Sequence, residues 1–315
     1  MSRPLLISAV FCGMLGAAVF APHRSTAQQI EFSSTATARY QGGVDASQSV
    51  TVNNPGNLVP VTANAISDPA MDGFSFAEGF AEGQINALGA TLRSTSYASG
   101  FSPSFSPPQE VRATSSATAS TSWVSQSQSL TNGTPIQINF LVPVSGSLAA
   151  EQFFTDGLGP NDVFAEASAE LFVNGVIQYS GSARSYDSMA GGMNSILDVS
   201  GAWAGDFVSG PAPFAITDPD AFFINTFDVV SITANLGEVF DVDFALSTSA
   251  YSVGPFETIA VADFGSTGSF ELSAVDPISG APIDVTFASV AVPEPGTGSL
   301  ALLASAMIGI RRRRR

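Results

Sequence analysis

The carboxylates are the side chains of this sequence whose spacing suggests chemistry. Asp241 and Asp243 flank Val242, which on a strand sets both on one face about 6 to 7 Å apart. Asp218 and Asp220 bracket Pro219 in a loop-like stretch. Either pair, completed by backbone carbonyls, is a candidate calcium site, because a hard cation takes oxygen ligands; no EF-hand or nonapeptide spacing surrounds them, and plain surface acids are the competing reading. Glu166 and Glu170, like Glu78 and Glu82, stand four apart. On a strand that is about 13 Å, beyond the separations that glycoside hydrolysis uses, so a glycosidase would need carboxylates converging from different strands. Trp123, Trp203 and the five tyrosines offer a sugar-stacking platform, although 24 phenylalanines outnumber them and sheet core is the alternative role.

The missing residue types exclude more than the present ones suggest. The 315 residues include one cysteine, Cys12, one histidine, His23, and no lysine. Arg3, the apolar run Leu5 to Phe20 and the small residues Ser25-Thr26-Ala27 have the three parts of a secretory signal peptide, with cleavage expected after Ala27. Cys12 and His23 both precede that cut. The mature chain then has no means of building a Ser-His-Asp triad, a Cys-His pair, a Schiff base or a His/Cys zinc site, and no disulfide can hold it in an oxidising compartment. Asp263-Phe264-Gly265 spells a kinase magnesium triplet, but with no lysine to pair a phosphate it is a coincidence of letters. The expectation is a protein that is not an enzyme and has no cofactor beyond calcium. After Ala27, 27 acidic residues face Arg39, Arg93, Arg112, Arg184 and five terminal arginines; nucleic acid and anionic membrane surfaces suit that charge poorly, and neutral glycans or cations suit it better.

Along residues 28–291, short runs rich in Val, Ile, Phe, Thr and Ser alternate with Gly, Pro, Asn and Asp clusters, the pattern of an all-β chain. Asn174-Gly175 is a type I′ turn pair and predicts a hairpin with Val173 opposite Val176. A second hairpin is expected in Asp228 to Val253, turning near Asn235 to Gly237, with further strands at Ile136–Val142, Ile259–Asp263, Ser269–Ala274 and Ile283–Ala291. Ser94 to Ser129 is dominated by Ser, Thr and Ala and reads as a flexible loop followed by a small-residue strand. The doubled FAEG of Phe76 to Gly83 reads as a strand with Phe76, Glu78, Phe80 and Glu82 on one face. The fold expected is an antiparallel β-sandwich, jelly-roll-like, behind a signal peptide.

Residues 292–315 differ from everything before them. Val292-Pro293-Glu294-Pro295 leads into Ser299 to Ile310, twelve apolar or small residues, and then Arg311, Arg312, Arg313, Arg314 and Arg315. As a helix the apolar run is about 18 Å long, short for a bilayer core near 30 Å. The arginines would stay cytoplasmic and halt export with the acidic body outside. Pro293 and Pro295 keep the segment before the span extended, a form that a membrane-facing protease reads.

That three-part order resembles the PEP-CTERM sorting signal of Gram-negative bacteria, and the Ser/Ala-rich body loosely resembles the β domain that often precedes it. The resemblance implies that an exosortase recognises Val292 to Pro295 after the secretory translocon and signal peptidase have acted. It also implies a brief stay in the inner membrane, and then the cell surface or an extracellular matrix linked to exopolysaccharide and biofilm. The body's expected role is structural or adhesive, with a carbohydrate-binding module or a carboxylate-only glycosidase as alternatives.

Overall fold

The computed structural model describes residues 28–39, 44–53, 59–67, 74–86, 88–101, 109–152, 162–187, 195–211, 220–254 and 258–290. They form fifteen strands: β1 (Gln29–Arg39), β2 (Val44–Asn53), β3 (Val59–Ser67), β4 (Phe74–Ile85), β5 (Gly89–Phe101), β6 (Gln109–Gln126), β7 (Pro135–Gln152), β8 (Asp162–Val173), β9 (Val176–Asp187), β10 (Ser195–Gly201), β11 (Val208–Pro211), β12 (Asp220–Asn235), β13 (Val239–Gly254), β14 (Thr258–Val275) and β15 (Thr286–Ser289). A front sheet runs β10-β9-β8-β13-β6-β1-β2, with β15 added to β6, and a back sheet runs β11-β12-β7-β14-β5-β4-β3. Every pairing is antiparallel. The sheets stack face to face, β5 over β6 and β13, and β7 over β8 and β9.

Within this sandwich β5, β6 and β7 run outward while β14, β13 and β12 return, each pairing with its counterpart. With β8 and β9 added, the central strand orders are β5-β14-β7-β12 and β6-β13-β8-β9, the order of a double Greek-key jelly roll. The remaining strands extend both sheets.

Alternation writes the core directly. On β13, Phe240, Val242, Phe244, Leu246 and Ala250 point inward; on β6, Val111, Ala113, Ala117, Ala119 and Trp123 do so. The sandwich is packed differently along its length. One part is filled by large side chains such as Trp123, Phe140, Phe244 and Phe270, the other almost wholly by alanines, among them Ala36, Ala77, Ala98, Ala113 and Ala250. Between them lies a buried belt of hydroxyls. Ser94 and Ser96 of the back sheet meet the Thr248 hydroxyl of the front sheet at 2.8 and 2.9 Å, and Ser94 also donates to the Ser115 carbonyl at 3.0 Å. Gly79 fits only because it lacks a side chain: a Cβ there would lie 2.4 Å from Ser34 Oγ and 2.8 Å from Ser115 Oγ.

Several expectations need correcting. Asn174 and Gly175 do take the left-handed conformation, φ 52° and 74°, with Val173 opposite Val176. The turn at Leu236-Gly237 is real, but β12 pairs with β7 in the back sheet and β13 with β6 and β8 in the front one, so it is an arch between sheets and not a hairpin. Ser94 to Phe101 belongs to β5, so that part of the expected loop is strand; residues 102–108 lie outside the described residues. Ile259–Asp263 and Ser269–Ala274 are one strand whose register shifts between Phe264 and Gly268. Of Ile283–Ala291, only Thr286–Ser289 is strand. The FAEG repeat is strand as expected, with Phe76, Glu78, Phe80 and Glu82 together on the half-buried outer face and Ala77, Gly79, Ala81 and Gly83 facing the core, which there has room only for small residues.

Trp123 and Trp203 are both 0% exposed, which removes them as a sugar platform. Trp203, in the turn after β10, stacks on Phe264 of the back sheet at 5.6 Å and donates its indole N–H to the Tyr179 hydroxyl at 2.7 Å, filling the space between the sheets. Burial first, and then the nearby Asp228 carboxylate, raises the Tyr179 pKa to about 12 against the lowering effect of the Trp203 hydrogen bond.

Two outcomes test this packing. Gly79→Ala, which in an open strand would add stability, should here cost about 1 to 3 kcal/mol in urea unfolding, because the added methyl meets the hydroxyl belt. Tyr179, protonated in the fold beyond its ordinary range, contributes stability that is fully present below pH 10 and lost as the pH rises toward about 12; tyrosinate absorbance should show it ionising with the loss of structure, and ionisation near pH 10 in the folded protein would contradict its burial.

Candidate functional site

The C-terminal end of the described chain is clamped to the middle of the front sheet. β15 pairs with the far end of β6, Thr286 opposite Gln126 and Ser289 opposite Trp123, and the Val290 N–H donates to the Ser122 carbonyl at 2.9 Å. Phe287 is buried edge-on to Phe240, ring centroids 6.2 Å apart. β13 occupies the other edge of β6 over Gln109 to Val124, so β15 and β1 share one edge. On that edge β1 already pairs from Ser120 to Glu110, with Gln29 opposite Ser120. Past Ser122, β6 therefore has no free edge to offer the chain leaving Val290. The beginning of the body and its end meet at one point of one strand.

The sequence-derived carboxylate sites are placed as follows. Asp241 and Asp243 are half-buried on the same face of β13, as expected, but the Asp241 carboxylate accepts a hydrogen bond from the Ser122 hydroxyl at 2.6 Å, and its backbone N–H donates to the Asn174 side chain at 2.9 Å. It thus ties the β8–β9 hairpin tip to the sheet. Among the described residues, no three His, Cys, Asp or Glu side chains gather as a metal group would require. Asp218 lies outside the described residues, as does the side chain of Asp220. Ala27, Val292 to Pro295, the apolar run Ser299 to Ile310 and Arg311 to Arg315 lie outside them too; among the described residues no helix is long and apolar enough to cross a membrane.

Residues 291–315 match the PEP-CTERM protein-sorting motif. Nothing among curated proteins matches the chain. The PEP-CTERM motif marks the chain as an exosortase substrate, exported and transiently anchored in the membrane before processing. It begins one residue after Val290, the last of the described residues held by β6. The fold and the sorting signal therefore abut without overlapping, and loss of the PEP-CTERM segment removes no strand of the described sandwich.

One site escaped the sequence altogether. The outer face of the front sheet holds a groove of about 500 Å³, lined by residues of β1, β6, β8, β9, β10 and β13. Its floor is one register row in which every strand contributes a serine: Ser33, Ser116, Ser247, Ser168, Ser182 and Ser200 lie side by side across the sheet. Ser168 and Ser247 are hydrogen-bonded at 2.8 Å, and Ser182 and Ser200 at 2.7 Å. In the next row Glu166, Arg184 and Asp198 are neighbours, with Glu166 and Arg184 paired at 3.3 Å. The Arg184 guanidinium lies 4.1 Å over the Phe164 ring, which stacks on Tyr251 at 4.9 Å. Only the register brings these serines together, and no linear motif announces it.

Phe287→Ala tests the clamp. The lost aromatic packing, about 3 kcal/mol or more, should release β15 locally, so that amide exchange at residues 286–290 accelerates at least tenfold while the β1–β6 amides keep their protection. Equal acceleration in both would mean that β15 has no separate stability.

Proposed function

We propose that this chain is an exported surface or extracellular-matrix protein, processed by an exosortase, whose β-sandwich has a non-catalytic structural or adhesive role. The match of residues 291–315 to the sorting motif carries the reading. The secretory translocon and signal peptidase act first, with cleavage after Ala27; the inner membrane then holds the chain by its apolar run, with Arg311 to Arg315 on the cytoplasmic side. Exosortase recognises Val292 to Pro295. The destination is the surface or matrix of a Gram-negative cell, with exopolysaccharide as the expected neighbour. Release just behind β15 leaves the sandwich with its pairing intact, which supports a body that functions after the tail has gone.

The non-catalytic part of the proposal rests on chemistry. After Ala27 no histidine, cysteine or lysine is available. A carboxylate-only glycosidase is the enzyme alternative that this composition leaves open and that the sequence raised, and the groove does carry two carboxylates, Glu166 and Asp198. Arg184 stands between them in register, where the scissile bond of a substrate would have to lie. That arrangement favours binding over hydrolysis, and the reading needs no cofactor.

Replacing Pro293-Glu294-Pro295 with Ala-Ala-Ala tests the proposal. Unprocessed chain should accumulate in inner-membrane fractions and the surface pool should fall at least tenfold; unchanged delivery of a shortened product would contradict exosortase sorting.

A further inference from the structure

We infer that the groove on the front sheet binds a neutral polysaccharide, laid across the strands along the serine row. This deepens the surface-protein reading and rests on it for where the ligand is met, not for the binding itself. Three observations converge. First, the floor is a lattice of hydroxyls at the strand spacing of about 4.8 Å, so six serines present donors and acceptors over about 24 Å, the length of several linked sugar units. Each serine hydroxyl donates once and accepts twice, so the Ser168–Ser247 and Ser182–Ser200 pairs retain capacity for a ligand.

Second, the wall beside that floor is preorganised for recognition of sugar hydroxyls. Arg184 is held on its aromatic seat by Phe164 and paired with Glu166, with Asp198 across from it in register. The guanidinium, already held by Glu166, offers N–H donors and the neighbouring carboxylates offer acceptors to vicinal hydroxyls, with little conformational freedom left to lose on binding. Arg112 also lines the groove, one register row beyond Arg184 and on the same side of the serine floor, and has no ion-pair partner among the described residues.

Third, the charge selects the ligand class. Arg112 and Arg184 are two of the four arginines between Ala27 and the terminal cluster, and both line this groove together with Glu166 and Asp198. The groove is thus balanced on a chain of net charge -16. An acidic glycan would be repelled by the whole body on approach, and a protein partner would need an apolar centre that a serine floor lacks.

The test is NMR titration of the full-length chain, in micelles of a zwitterionic detergent without a sugar headgroup, with cellohexaose, mannohexaose and a hexameric oligouronate. The inference predicts shift changes confined to β1, β6, β8, β9, β10 and β13 with at least one neutral hexaose. Ser247→Ile, which fills the floor with a good strand former, and Arg112→Gln should each weaken binding at least tenfold. Phe227→Ala, on the exposed outer face of the back sheet, should leave it unchanged. Shifts on the back sheet, response to the oligouronate alone, or no response at millimolar ligand would each overturn the inference. Failure of sorting in cells with binding intact would instead overturn the surface-protein reading and leave the groove standing.

Discussion

The contact on which the rest of the sandwich depends is the buried hydroxyl belt where Ser94 and Ser96 of one sheet meet Thr248 of the other. Two facing sheets ordinarily sit about 10 Å apart with large side chains between them. In the alanine-rich part of this fold the gap has to be narrower, and polar groups trapped there must find partners because water cannot reach them. Serine and threonine satisfy both conditions: they are nearly as small as alanine, and their hydroxyls pair across the gap. This explains an odd composition. A strand such as β6, with Ala113, Ser115, Ala117 and Ala119 inward, would be a poor core strand against a wide gap and is a good one here.

The same economy shapes the outside. Small residues inward leave alternate positions of the same strands for the outward face, and on the front sheet many of those positions are again serine and threonine. The result is a groove with a hydroxyl floor, bordered by the arginine–aromatic cluster of Arg184, Phe164 and Tyr251. A chain with little binding chemistry residue by residue acquires some through repetition across strands. The large-residue part does different work: Trp123, Phe240 and Phe287 lock the last strand to β6, so a firm core lies immediately before the processing segment.

What was legible in the sequence follows from how local each signal is. The sorting segment was readable because its three parts lie in one linear stretch, and the Asn174-Gly175 hairpin because a positive-φ pair fixes both the turn and the pairing. The turn at Leu236-Gly237 was readable as a reversal but not as a change of sheet, since turn chemistry specifies a bend and says nothing about which neighbour the next strand finds. Trp123 and Trp203 do not reach the surface, and aromatic type alone cannot tell a platform from a plug. The serine row was invisible for the deepest reason: Ser116, Ser247 and Ser168 become neighbours only through register. The inward orientation of Ala77 and Gly79 in the FAEG repeat likewise depends on the partner sheet being close.

Intact-mass spectrometry of the protein recovered from the cell surface and matrix tests the central claim, that a complete sandwich is delivered once its tail has been cut behind β15. The account predicts a species beginning at Gln28 and ending close to Pro293. Recovery only from the inner membrane, with Arg311 to Arg315 still attached, would contradict it and make the chain a tail-anchored protein.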